Sequence, residues 1–182
     1  MKFIKTDIRD LLVIEPIVFG DNRGWFSESY NYEIFRQNGI DNVFVQDNHS
    51  FSKQKGTLRG LHFQNMPKAQ TKLVRCTKGR IWDVAVDLRK SSSTYLKWFG
   101  VELTDENHKM LLVPQGFAHG FITLEANCEV QYKVDNIYDK HSDRSIMYND
   151  PEISIKWPEI EVVLSDKDKN SPFLKDSDVN FL

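Results

Sequence analysis

Four side chains able to handle protons sit inside segments that otherwise read as β-strand. His62 lies in "TLRGLHFQ", Lys72 in "AQTKLVRC", His119 in "VPQGFAHGF" and Tyr132 in "EVQYKV". An imidazole near its ordinary pKa can take a proton from a carbon beside a carbonyl. A lysine ammonium can stabilise the enolate oxygen that results. A phenol, a weak acid, can return a proton from the other side of the same carbon. Base on one face and acid on the other invert a stereocentre, so the set points to epimerisation next to a ketone. Each residue alone also has an ordinary reading: a tyrosine at the core edge, a histidine bracing its turn, a lysine snorkelling to solvent.

A sheet has to carry these groups. In "RIWDVAVDLR", alternation puts Trp82, Val84, Val86 and Leu88 on one face and Ile81, Asp83, Ala85 and Asp87 on the other. "QTKLVRCTKGR" alternates likewise, with Lys72 and Val74 on one face, and stops at the turn signal Lys78-Gly79. "GFAHGFITL" and "CEVQYKVDNIY" read as two further strands. In "TLRGLHFQ" alternation predicts Leu58, Gly60, His62 and Gln64 on one face and Arg59, Leu61 and Phe63 on the other. Gly60 is expected to allow close approach of a ligand or of a neighbouring backbone. Helix is scarce. "NYEIFRQNG" predicts one short helix with Asn31 as N-cap and Gly39 as terminator, and "TDENHK" one further turn. The segment after Trp157-Pro158 mixes acids, lysines and Pro172 and is expected to pack loosely. With no repeat or linker, residues 1–182 read as a single all-β domain, a sandwich or barrel with a few short helices.

Composition narrows the partners. Hydrophobic residues make up 40% of the chain and aromatics 12%, enough for a core without disulfides or metal. The 24 basic and 26 acidic residues leave a formal charge of −2, which favours neither nucleic acid nor an anionic membrane surface. An anionic ligand would need local arginines and lysines. No apolar run is long enough to cross a bilayer, and "MKFIKTDIRDLL" is too charged for a secretory leader. Cys76 and Cys128 lack CxxC spacing and read as buried thiols in a reducing compartment. A cytoplasmic protein is expected.

Pro114, Gly116 and His119 form P-x-G-x-x-H, which resembles the second motif of the cupins, a group of jelly-roll sandwiches. Metal-binding cupins carry H-x-H and then a glutamate in their first motif. Here the stretch reads "LHFQ", with Gln64 at the second histidine and Gln70 or a neighbour near the acid's place. Two imidazoles without a carboxylate or thiolate are poor ligands for a transition metal, so neither metal nor cofactor is expected.

Longer motifs carry a more specific resemblance. "TLRGLHFQ…AQTKLVRCTKGRIWDVAVDLR", "LLVPQGFAHGF" and "NDPEISIKWP", with "DNRGWFSESY" and "VQDNHS" ahead of them, are similar to the dTDP-4-dehydrorhamnose 3,5-epimerase family from about Glu15 to Asp168. The resemblance implies a metal-free cupin-type jelly roll. It implies conversion of dTDP-4-dehydro-6-deoxy-D-glucose to dTDP-4-dehydro-L-rhamnose, a precursor of surface polysaccharide.

It also implies roles. His62 would be the base, oriented by a carboxylate of "LSDKD", Asp168 in preference to Asp166. Tyr132 would be the opposing acid, Lys72 would lie at the C4 oxygen, and His119 would line the same cavity with Asp83 behind it. Arg59 and Arg23 would meet the diphosphate and Tyr138 the thymine. Phe26, Glu28, Gln46, Asp47, Asn48, His49, Asp143 and Lys167 would complete the substrate contacts. Arg23, Phe26 and Glu28 would serve a partner's site, which implies a homodimer with shared active sites. Around "YDKHSDRSI" the chain departs from the family pattern, with Asp143 where a longer acid is common. Two other readings stay open. One is an epimerase at C3 or C5 alone, or a ketoisomerase, on a related nucleotide sugar. The other is a non-catalytic cupin that binds such a sugar.

Overall fold

The computed structural model describes residues 1–182. Two antiparallel sheets face each other. One has six strands in the order β1 (Lys2–Lys5), β2 (Leu12–Glu15), β10 (Met110–Val113), β7 (Lys72–Lys78), β12 (Cys128–Val134) and β5 (Gln46–Ser52). The other has five, in the order β13 (Asp143–Ser145), β6 (Leu58–Gln64), β11 (Phe117–Thr123), β8 (Arg80–Asp87) and β9 (Trp98–Thr104). A separate hairpin pairs β3 (Val18–Asp21) with β4 (Gly24–Ser27). The strand pattern predicts a sandwich or barrel, and the structure is a sandwich, the jelly roll that the family resemblance implies. No helix is long and apolar enough to cross a membrane.

Alternation explains the layers. Ile81 and Ala85 of β8 join Val74, Leu111, Phe121 and Val130 in the buried cluster between the sheets. Val84, Val86 and Leu88 point the other way and are buried as well, beneath Ile146, Ile153, Leu174 and Phe181. The C-terminal segment therefore does not pack loosely. It roofs the outer face of the five-stranded sheet, because that face is apolar and must be covered. Asp150 helps hold it, accepting from the backbone N–H of Ile153 at 3.1 Å and of Leu174 at 2.7 Å.

On the outer face of the six-stranded sheet, α1 (Tyr32–Gln37) lays Phe35 over Ile14, Leu73, Met110 and Leu112. Its cap is as predicted: the Asn31 side chain accepts from the N–H groups of Glu33 and Ile34, and Gly39 follows at φ +80°. At "TDENHK" the Thr104 hydroxyl accepts from Glu106 and Asn107 N–H, closing one turn.

Strand β6 breaks the predicted alternation. His62 stands opposite His119 and Arg59 opposite Phe121, so three steps on β6 match two on β11. The extra residue is a bulge that reverses the phase, and Arg59 and His62 consequently open on the same cavity. Gly60 makes it possible at φ +135°, a conformation side chains disfavour. A Cβ there would lie 2.6 Å from Gly120 Cα. Of the two alternatives for Gly60, it is the neighbouring backbone, β11, that makes the close approach.

Phe181 is 5% exposed and packs beside Phe63, with ring centroids 5.8 Å apart. Phe181→Ala is expected to lower the unfolding free energy by about 3 kcal/mol in urea titrations. A loosely packed tail would show no change.

Candidate active site

At one end of the sandwich the apolar interior gives way to a polar cavity of about 400 Å³ between the two sheets. Arg59, His62 and His119 reach it from the five-stranded sheet, and Gln46, Asn48, Lys72 and Tyr132 from the six-stranded one. Tyr138, Asp143, Lys167 and Asp168 close its remaining side.

His62 and His119 are directly opposed across β6 and β11, and each holds its own carboxylate. His62 Nε2 meets Asp168 Oδ1 at 2.6 Å, and His119 Nε2 meets Asp83 Oδ1 at 2.8 Å. Asp168 rather than Asp166 faces His62. It is carried by the short helix α2 (Asp166–Lys169) and is 3% exposed. Burial works to raise its pKa, but hydrogen bonds from His62, Ser165 and the Gly60 N–H outweigh that and hold it below the ordinary value. An ionised carboxylate can only accept, so His62 Nε2 is the donor in that bond.

Burial raises the Tyr132 pKa, partly offset by the charge of Arg59, so the phenol is protonated at neutral pH. Burial also pulls the Lys72 ammonium down to about 8, Asp143 and Asp83 working against it and Lys167 with it. Its Nζ donates to the His62 carbonyl at 3.2 Å.

The rim is built from side chains that hold one another. Asp143 Oδ2 accepts from Lys167 Nζ at 2.6 Å and from the Tyr138 hydroxyl at 3.3 Å. Gln46 accepts from Tyr138 N–H and donates to Asn48. Arg59 is held by neutral acceptors, Ser52 Oγ and the Phe51 carbonyl, so its charge remains available to an anion.

Some expected contacts lie elsewhere. Asp47 and His49 occupy the alternate positions of β5, where Asp47 pairs with Lys133 and His49 with Glu129. They line a second hollow of about 240 Å³, with Arg75 and Gln131, and not the main cavity. Period-two geometry forces this once Gln46 and Asn48 point inward. Arg23 and Phe26 sit on the exposed β3–β4 hairpin and Glu28 just after it; none lines the cavity of its own chain. Ser165, which the sequence reading passed over, lines it and touches Asp168; its S-x-x-D spacing is the legible N-cap signal.

The donor set does not fit a cupin metal. Gln64 spends its amide on the Lys68 and Ile137 carbonyls and the Asp139 N–H, and Gln70 on the Asn136 carbonyl. No three His, Cys, Asp or Glu side chains converge.

A jelly roll with a carboxylate-oriented imidazole on one sheet, and a phenol and ammonium on the other, defines a cupin-type enzyme of proton transfer. The dTDP-4-dehydrorhamnose 3,5-epimerase family model matches residues 5–176, and the chain belongs to that family. A dTDP-4-dehydrorhamnose 3,5-epimerase from Shigella flexneri is 52% identical over 179 residues, 98% of each chain. The crystal structure of one from Bacillus anthracis, with TDP and PPi bound, superposes at TM-score 0.93 with 50% identity, covering 95% of this chain and 99% of that one. A Legionella pneumophila dTDP-6-deoxy-D-glucose-3,5-epimerase, in complex with dTDP-4-keto-L-rhamnose, gives TM-score 0.92 and 44% identity, covering 96% and 93%.

The Lys72 titration can be read directly. With lysine Cε labelled by carbon-13, one resonance is expected to titrate near pH 8, the ammonium form lying below and the free amine above. Asp143→Asn removes a charge that favours the ammonium and should move that midpoint lower.

Proposed function

We propose that this protein is an isomerase that inverts C3 and C5 of dTDP-4-dehydro-6-deoxy-D-glucose, giving dTDP-4-dehydro-L-rhamnose. One observation carries the chemistry: His62, backed by Asp168, faces the cavity from one sheet, while Tyr132 and Lys72 face it from the other.

The C4 ketone acidifies both neighbouring C–H bonds. His62 Nδ1 takes the proton at one of these carbons, and the bonding pair moves into an enolate with its charge on O4. The Lys72 ammonium pairs with that charge in a cavity of low dielectric, where the interaction exceeds its value in water. Asp168 stabilises the imidazolium formed at the same moment. Tyr132 delivers its phenolic proton to the opposite face of the carbon, the enolate collapses to the ketone, and the centre is inverted. Solvent reprotonates the phenolate and accepts the imidazolium proton, so the enzyme returns unchanged. The same sequence at the second carbon completes the reaction, and no electrons leave the substrate. His119, held by Asp83, is assigned to the sugar hydroxyls or O4.

Arg59 is assigned to the diphosphate, Tyr138 to the base, Gln46 and Asn48 to the nucleoside, and Asp143 and Lys167 to the rim. Arg23, Phe26 and Glu28 are assigned to the site of a second copy. Val18, Phe19, Trp25 and Phe26 leave the β3–β4 hairpin with apolar surface that such a copy would cover. The functional unit is therefore a homodimer in the cytoplasm, each 182-residue chain acting as one domain.

The test is proton exchange. In D2O with dTDP-4-dehydro-6-deoxyglucose, NMR should show deuterium entering at C3 and at C5 with formation of the L-sugar. His62→Asn and Tyr132→Phe should each lower kcat by about 10²–10⁴-fold. Label at one carbon would leave a single-centre epimerase. No label from folded protein that still binds dTDP would leave a binding cupin.

A further inference from the structure

The base's carboxylate has a second attachment. Ser165 is the N-cap of α2, where its Oγ accepts from the Asp168 N–H at 3.1 Å. The same oxygen donates its one proton to Asp168 Oδ2 at 2.6 Å. A serine hydroxyl has a single hydrogen, and the cap already occupies an acceptor position, so the hydroxyl is fixed in direction. Both carboxylate oxygens are thereby held: Oδ1 on His62 and Oδ2 on Ser165. Without the second bond only His62 and the Gly60 N–H restrain the carboxylate, whose terminal torsion is broad and costs little to turn. His62 would then lose the group that sets its tautomer and orientation.

We infer that Ser165 is a positioning residue for the reaction, its hydroxyl locking Asp168 so that Asp168 can lock His62. The three form a line, Ser165–Asp168–His62, that runs from α2 to β6. This rests on the assignment of His62 as the base. It differs from a simple capping role, since a cap needs only the acceptor oxygen or a glycine, whereas positioning needs the hydroxyl proton.

The experiment compares Ser165→Ala, Ser165→Gly and Ser165→Thr in the full-length protein. Glycine is a good N-cap without a hydroxyl and stands in if the alanine variant folds poorly; threonine restores the donor. Positioning predicts that kcat falls roughly ten- to hundredfold in the alanine and glycine variants, the worth of a hydrogen bond to a charged group. KM should stay within about twofold and threonine should recover most of the rate.

A second readout needs no turnover. The His62 Nε2–H proton shared with Asp168 gives a downfield imidazole resonance, identified by its loss in His62→Asn. That resonance should shift upfield in the alanine and glycine variants and return in the threonine variant. Wild-type kcat in Ser165→Gly overturns the inference, and so does a loss of kcat with the resonance unmoved. If wild-type protein exchanges neither C3 nor C5, the epimerase reading fails instead, while the resonance still reports the coupling between Ser165 and His62.

Discussion

Gly60 and Gly120 bring β6 and β11 together so closely that a Cβ on either would strike the other strand. One on Gly60 would lie 2.6 Å from Gly120 Cα, and one on Gly120 would lie 2.9 Å from the Arg59 carbonyl oxygen. The extra residue of β6 is absorbed at this contact, and the phase of the strand is reversed there. A guanidinium and an imidazole three residues apart therefore open on one cavity. The same contact sets His119 directly opposite His62. Side-chain bulk at either glycine would push the strands apart and move all three groups at once.

Charges placed in that interior persist because each has a partner. Asp168 stays ionised despite burial because its donors outweigh desolvation. Asp83 is fully buried with one oxygen on His119 and the other without a hydrogen bond, and its charge favours the Lys72 ammonium. Lys72 in turn sits near 8 because burial and the carboxylates of Asp143 and Asp83 pull in opposite directions. An ammonium so balanced is well suited to an oxyanion that appears and vanishes within one turnover.

The outer faces matter to the site as much as the interior does. Covering the apolar back of the five-stranded sheet requires the C-terminal segment, which carries Leu174 and Phe181 onto it. That same segment carries α2, hence Ser165, Lys167 and Asp168, to the open side of the cavity. Packing the tail and completing the His62 environment are one structural event.

Much of this was legible in the linear chain. Strict alternation in "RIWDVAVDLR" and "QTKLVRC" sorts inward from outward residues, because strand geometry has a period of two whatever the fold. Asn31 and Gly39 delimit α1 through local bonds and backbone freedom, which need no tertiary partner. The long motifs around His62, Lys72 and His119 likewise suffice to suggest the family to which the chain belongs. Three matters were decided only by the folded chain. Alternation alone puts Arg59 and His62 on opposite faces, and only the bulge against β11 unites them. The resemblance groups Asp47 and His49 with Gln46 and Asn48, and only the pairing of β5 separates them. A charged tail reads as loose until the apolar face it must cover is known. Each depends on which strand lies alongside and which surface needs burial, and those are contacts between residues far apart in sequence.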